Sequence, residues 1–292
     1  MPFSEWTQYL NEQGMLGKMP YWNFVDWPKE WPWKGDENIS GIPAGAIQGN
    51  SSILNLQYVA ALENAAELFK AFGQLNEANE DIETAKKIKE ATYSCCWDNK
   101  KQMMADAPDK KEFSQHANIL AVLTGAIPSA NQRSLLKRSV EDTSIVQCTL
   151  YYRFYLNLAF KKAGLGDQYV SMLTPWENML NLGLTTFAER PEPTRSDCHG
   201  WSASPTYDLL STVCGIEPSL PGFKEVKISP HLGKLKWVKA GMPHPNGSIE
   251  VEFKKRYNEI VGDVELPPHL YGYLYFKNKK LRLHPGKQTF CL

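Results

Sequence analysis

The sequence predicts a mainly α-helical chain closed by a small antiparallel β-domain, on three observations. From residue 4 to about residue 215, apolar residues recur at helical spacing in segments of roughly 10 to 25 residues, divided by Gly, Pro and Asn. The links between these segments are short, which makes neighbouring helices antiparallel. After GIEPSLPGF at 215–223 the pattern changes to strict alternation, the period of a strand with one buried face.

Ser51 or Ser52 is placed to cap a first long helix. Its apolar face would be Leu54, Tyr58, Ala61, Leu62, Ala65, Leu68, Phe69 and Phe72, with Gly73 as the stop. A partner helix follows over 78–97. Further helices are expected over 114–123, 131–139, 149–163, 167–180 and 204–214, roughly seven or eight in all. Such a series of hairpins closes into a toroid or stacks into a solenoid, and no internal repeat favours the solenoid. Alternating runs at 226–228, 235–238, 249–253 and 260–264 predict strands, and Asn246-Gly247 between two of them is a strong hairpin-turn signal. The expected domains are therefore an α-helical toroid over 1–215 and a β-sandwich over 216–292.

Composition narrows the function. Acidic and basic residues number 32 each over 292 residues. No net field draws the chain to nucleic acid or an anionic membrane, and a neutral ligand fits best. Aromatic residues make up 12%, with nine Trp and thirteen Tyr, more than an ordinary core demands. Sugar sites use such rings because pyranose C–H faces stack on them while hydroxyls bond to nearby carboxylates and amides. A single ring is usually core, so only clusters count. The six cysteines, at 95, 96, 148, 198, 214 and 291, follow neither metal-ligand spacing nor a disulfide framework, and buried free thiols are expected. No metal and no cofactor are expected. MPFSEWTQYLNEQG at the amino terminus lacks the apolar run of a signal peptide, and no segment approaches the roughly 20 apolar residues of a membrane span.

Two segments concentrate chemistry. YWNFVDWPKEWPWKGDE at 21–37 places four Trp among prolines and carboxylates, which excludes a regular helix and predicts a loop that binds a ligand or is pinned by its own ring packing. TTFAERPEPTRSDCHGWSASP at 185–205 crowds Glu, Arg, Asp, His and Trp into a connection between two apolar helices. Glycosidic hydrolysis needs two carboxyl groups, which in an inverting enzyme stand about 6.5 to 9.5 Å apart to admit water. Glu189 is the candidate for one of them, although a Glu followed by an Arg also describes an ordinary surface ion pair. His199 taken alone is as readily structural. Ser196, Asp197 and His199 lie close together, but nothing resembles the nucleophile elbow of a serine hydrolase.

At these segments the sequence resembles the α-L-rhamnosidase family of glycoside hydrolases, in particular the forms from Bacteroidetes. YWNFVDW at 21–27, GNSSILNLQYVAALE within 45–63, and RSDCHGWSASP at 195–205, leading through Tyr207-Asp208-Leu209-Leu210 to Gly215-Ile216, carry the likeness. It extends over nearly the whole chain. The resemblance implies an (α/α)6 toroid that hydrolyses terminal rhamnose with inversion of configuration. It implies that Glu189 is the base for water, that His199 bonds a sugar hydroxyl, that Trp27 packs on the rhamnose face or methyl group with Asp26 beside it, and that Trp201 completes the wall. The family's general acid lies upstream of the segment matching Tyr21, so this chain is expected to be the carboxy-terminal portion of the toroid and to be inactive alone. A parent protein of periplasmic or secreted location is expected, as is association through apolar helix faces left open. Asp26, Glu30, Asp36 or Glu37 would have to substitute as acid in a complete, diverged enzyme. Another toroidal carbohydrate enzyme (a glucuronyl hydrolase or a polysaccharide lyase) and a non-catalytic sugar-binding remnant remain the alternatives.

Overall fold

The structure, a computed structural model, describes residues 3–191, 193–257 and 259–292. It divides into two compact units, Met1–Ala163 and Gly164–Leu292.

The first unit is helical. After a 3-10 turn at Phe3–Tyr9 and a long irregular segment come α1 (Ser52–Ala71) and α2 (Leu75–Cys96), joined by a tight turn in which Gly73 takes φ 77°. They pack along their lengths. Leu16, Met19, Tyr58, Val59, Leu62, Ala85 and Ile88 form the cluster between them and the amino-terminal segment. The predicted face of α1 holds at Tyr58, Leu62 and Ala65, but Leu68 and Phe72 are 62% and 81% exposed. No described residue covers these two side chains of the last turns. Ser51 stands at the cap position of α1 without a capping side-chain bond, and the Ser52 hydroxyl donates instead to the Ala105 carbonyl at 2.7 Å.

Two short strands missed by the periodicity, β1 (Trp97–Asp98) and β2 (Met103–Met104), form a hairpin after α2. α3 (Gln115–Leu123) is buried from Gln115 to Val122 on every side, which is why it carries no polar stripe. Ser114 caps it by accepting from the Ala117 N–H. Its buried Asn118 faces the edge of β2, accepting from Met104 N at 3.0 Å and donating to Met104 O at 3.2 Å. α4 (Ser129–Glu141) and α5 (Arg153–Lys162) complete the unit.

In the second unit the helix expected over 167–180 is broken into a 3-10 stretch, Gly166–Met172, and α6 (Thr174–Asn181). Pro175 is the reason: it lacks an N–H and disfavours helical backbone before it, so it begins a helix rather than continuing one. The helix expected over 204–214 starts as α7 (Ser204–Asp208) and runs on as a π-helical turn, Leu209–Val213.

Eight strands follow: β3 (Ile216–Pro218), β4 (Glu225–Ile228), β5 (Trp237–His244), β6 (Gly247–Arg256), β7 (Glu259–Leu266), β8 (Tyr271–Phe276), β9 (Lys279–Leu283) and β10 (Gly286–Cys291). One sheet has the order β10-β7-β6-β5 and is antiparallel throughout. The other has the order β3-β4-β8-β9, and its β4–β8 pair is parallel. The antiparallel expectation fails at that pair because the chain leaves this sheet after β4, builds three strands of the other, and returns by a long crossover, the connection parallel neighbours need. Gly272 permits the pairing, since a Cβ there would lie 2.0 Å from the Val226 carbonyl oxygen. Alternate residues of both sheets, among them Val226, Ile228, Ile249, Val251, Phe253, Val264, Leu274 and Leu283, join one hydrophobic core. Each contributes on the order of 1.5 to 3 kcal/mol by leaving water.

The hairpin between β5 and β6 closes on Pro245 and Asn246, one residue earlier than expected, because Gly247, at φ 141°, already pairs with His244. Leu235 precedes its strand, which starts at Trp237 and extends to His244. All six cysteines are free, but only Cys96, Cys148 and Cys214 are buried. Cys198 and Cys291 are exposed, contrary to expectation, because each lies on a connection or an edge strand. Among the described residues no helix is long and apolar enough to cross a membrane.

Candidate active site

The segment at 21–41 is an ordered loop held by hydrogen bonds from side chains to backbone. Trp22 Nε1 donates to Ser40 O at 2.9 Å, Asn23 Nδ2 to Ala46 O at 2.9 Å, and Lys34 N to Ser40 Oγ at 2.8 Å. Four rings gather on it: Trp27 lies 5.1 Å from Phe24, 6.2 Å from Trp22 and 6.4 Å from Trp33, between ring centroids. Trp22 and Trp33 are 40% and 60% exposed, so the cluster faces solvent. Gly41 makes room for it, because at φ 64° a Cβ there would meet the Phe24 ring at 2.6 Å.

Asp26 sits beneath this cluster, wholly buried. Its Oδ1 accepts from Trp27 N at 2.8 Å and from the Thr149 hydroxyl; its Oδ2 accepts from Thr149 N at 2.9 Å and lies 2.8 Å from His116 Nε2. Both oxygens are spent inside the protein. Asp26 therefore fastens the Trp27 loop to α3 and to residue 149. His116, missed in the sequence, is itself buried between Trp31 and Tyr152, at 4.7 and 4.4 Å between centroids. One histidine in a buried helix gave no signal that a carboxylate ninety residues away was its partner. Asp36 is engaged in capping a 3-10 turn through Asn38 N, and Glu30 lies 3.7 Å from Lys29.

The second cluster belongs to the other unit. Two backbone bonds bring its ends together: Glu189 N donates to Ser196 O at 2.9 Å and His199 N to Phe187 O at 2.7 Å. Ser202 fixes the base of the loop, with its hydroxyl 2.6 Å from Ala188 O and its carbonyl accepting from Trp176 Nε1 at 2.8 Å. Glu189, 5% exposed, is gripped by Arg195, whose Nε donates to Oε2 at 2.9 Å and whose Nη2 donates to Oε1. This fork holds the Glu189 carboxyl below its ordinary range. The hydrogen bonds from Arg195 are the main cause, followed by its charge and those of His199 and Arg190, against an opposing effect of burial. The His199 and Trp201 rings lie against each other in a tilted pair, 4.6 Å between centroids with an interplanar angle of 57°.

A carboxylate has about four lone-pair positions, and a two-point fork occupies two. Glu189 is thus kept ionised and oriented, with acceptor capacity left for a water molecule. Arg195 lay within the segment singled out by sequence, but its role as the clamp rests on its position beside Glu189 in the fold. Among the described residues no three His, Cys, Asp or Glu side chains gather as a metal site.

Residues 215–289 match the family model described as the bacterial alpha-L-rhamnosidase C-terminal domain. Solved structures share the fold over nearly the whole chain. A GH78 family rhamnosidase of Bacillus sp. GL1 superposes with a TM-score of 0.78 at 24% identity, over 94% of this chain and 30% of its own. The α-L-rhamnosidase of Dictyoglumus thermophilum gives 0.74 at 17%, over 99% and 36%. That of Streptomyces avermitilis, complexed with L-rhamnose, gives 0.71 at 14%, over 99% and 30%. At these identities the likeness is one of fold, and this chain spans about a third of the length of those enzymes. No curated protein matches it in sequence.

Proposed function

We propose that this chain is the carboxy-terminal part of an inverting glycosidase of the α-L-rhamnosidase kind, which removes terminal α-linked rhamnose from glycans or glycosides; the match of residues 215–289 to the rhamnosidase C-terminal domain and the shared fold support that reading. In this reading residues 1–215 are part of an (α/α)6 toroid and residues 216–292 a closing β-sandwich domain. Glu189 is the base that takes a proton from water as that water attacks the anomeric carbon. His199 and Trp201 bind the sugar from the same loop. The Trp27 cluster offers a ring for the rhamnose face or methyl group, with Asp26 as its anchor. The observation that carries the reading is the Glu189–Arg195 fork: a nearly buried carboxylate, kept ionised, on a loop whose backbone is tied at both ends.

The general acid is the missing partner. Asp26 has both oxygens engaged and Asp36 caps a turn, so neither is offered for that role. General-acid assistance supplies on the order of 10² to 10⁴ in rate, and the chain alone should turn over natural rhamnosides negligibly. Nitrophenyl rhamnoside, whose leaving group hardly needs an acid, isolates the base. Slow hydrolysis should be lost in Glu189→Gln and restored by azide as the β-configured glycosyl azide. Hydrolysis unaffected by Glu189→Gln rejects the base assignment, and brisk cleavage of a natural rhamnoside by the chain alone rejects the missing acid.

A further inference from the structure

Away from the Glu189 loop, the second unit holds a cavity of about 320 Å³, within the size range of small-ligand sites. Two hairpin tips reach its rim. The loop joining β6 to β7 starts at Tyr257 and that joining β8 to β9 starts at Lys277. Both residues take positive φ, 51° and 52°. Two-residue hairpin loops require that backbone, and Gly, Asn and Asp adopt it with least strain. For the turn alone, a tyrosine and a lysine are poor choices. Strained conformations held by large side chains gather at ligand sites, where the side chain rather than the turn is what the position supplies. Tyr257 is 101% exposed, so its ring is not there to pack against the protein.

The rest of the lining suits a charged sugar. Tyr275 contributes a half-buried ring, and His231 an imidazole. Lys255 donates to Gly233 O at 3.0 Å and Asp167 accepts from Gly233 N at 2.9 Å, which fixes both at the wall. The ammonium of Lys255 keeps two further protons to donate. Lys255 and Lys277, the latter with its ammonium 5.5 Å from the centroid of the Phe276 ring, bring two positive charges to a lining that holds one carboxylate, Asp167.

We propose that this cavity binds an acidic saccharide, with the sugar ring stacked on Tyr257 and its carboxylate received by Lys277 and Lys255. The site is independent of the catalytic reading. Three probes separate its parts when titrated into the full chain by ligand-observed NMR: glucuronate, glucose without the carboxylate, and acetate without the ring. Glucuronate should bind at least about tenfold more tightly than either of the others, and more weakly as salt is added. Tyr257→Gly and Lys277→Gly place glycine where its backbone is preferred, so each should unfold no earlier than the parent while losing about tenfold in glucuronate affinity. Equal binding of glucuronate and acetate overturns the proposal, as does glucuronate affinity unchanged in both glycine variants.

Discussion

Asp106 offers a quantitative test of the first unit. It is wholly buried at the turn before α3, with Oδ1 accepting from the Ser114 hydroxyl at 2.7 Å and Oδ2 without a hydrogen-bond partner among the described residues. Burial pushes its pKa from 3.8 up to about 7, against the lowering effect of the Ser114 hydrogen bond. An acid raised in the folded state holds its proton longer there than in the unfolded chain. The unfolded state therefore binds fewer protons between the two values, and stability falls as pH rises through that window. With pKa values of 3.8 and about 7, the Asp106 contribution should fall by roughly 2 to 3 kcal/mol between pH 5 and pH 8. Asp106→Asn removes the titration. Its amide adds buried N–H groups at a cost of about 1 to 3 kcal/mol, but that offset does not change with pH. The measurement is urea unfolding of both proteins at pH 5 and pH 8, followed by a signal from the first unit. The variant should gain roughly 2 to 3 kcal/mol relative to the parent over this interval. A difference that stays constant within about 0.5 kcal/mol would show that Asp106 does not titrate there, and the burial argument would be wrong.

Three further outcomes follow from the geometry. Arg195→Ala should cost on the order of 1 kcal/mol at pH 7, a discounted figure because the guanidinium is mostly exposed. Since the folded Glu189 pKa is depressed, that stability is present above its unfolded value near 4.5 and is lost as pH falls through the folded one; acid titration of the difference checks the sign. Gly41→Ala should cost about 1 to 3 kcal/mol, from positive φ and the clash with Phe24, and should change the near-ultraviolet circular dichroism of the Trp27 cluster. Phe72→Lys should leave the unfolding free energy within about 0.5 kcal/mol while reducing self-association in sedimentation velocity, because that ring is 81% exposed; an unchanged association constant would remove this face from the contact.

The change of class near residue 215 was legible because hydrophobic period is a local property: α1, α2 and α3 lie close to their expected spans, and the alternating runs after 223 became strands. Strand partners were not legible. The parallel β4–β8 pair joins segments more than forty residues apart, and no local pattern distinguishes it from an antiparallel one. The crowded segment at 185–205 was visible as a site candidate from composition, whereas the grip of Arg195 on Glu189 required knowing how the intervening turn closes.

By itself, the sequence determined where helices give way to strands and which two loops concentrate rings and charges, since both follow from residues near one another in the chain. Only the tertiary structure decided what the polar groups in those loops do. Sequence placed Asp26 beside Trp27, and only the fold shows it as the buried acceptor of bonds from His116 and Thr149, 90 and 123 residues away. The physical reason is that a buried carboxylate must find donors wherever the fold brings them, and the fold, not the sequence neighbourhood, chooses which donors those are.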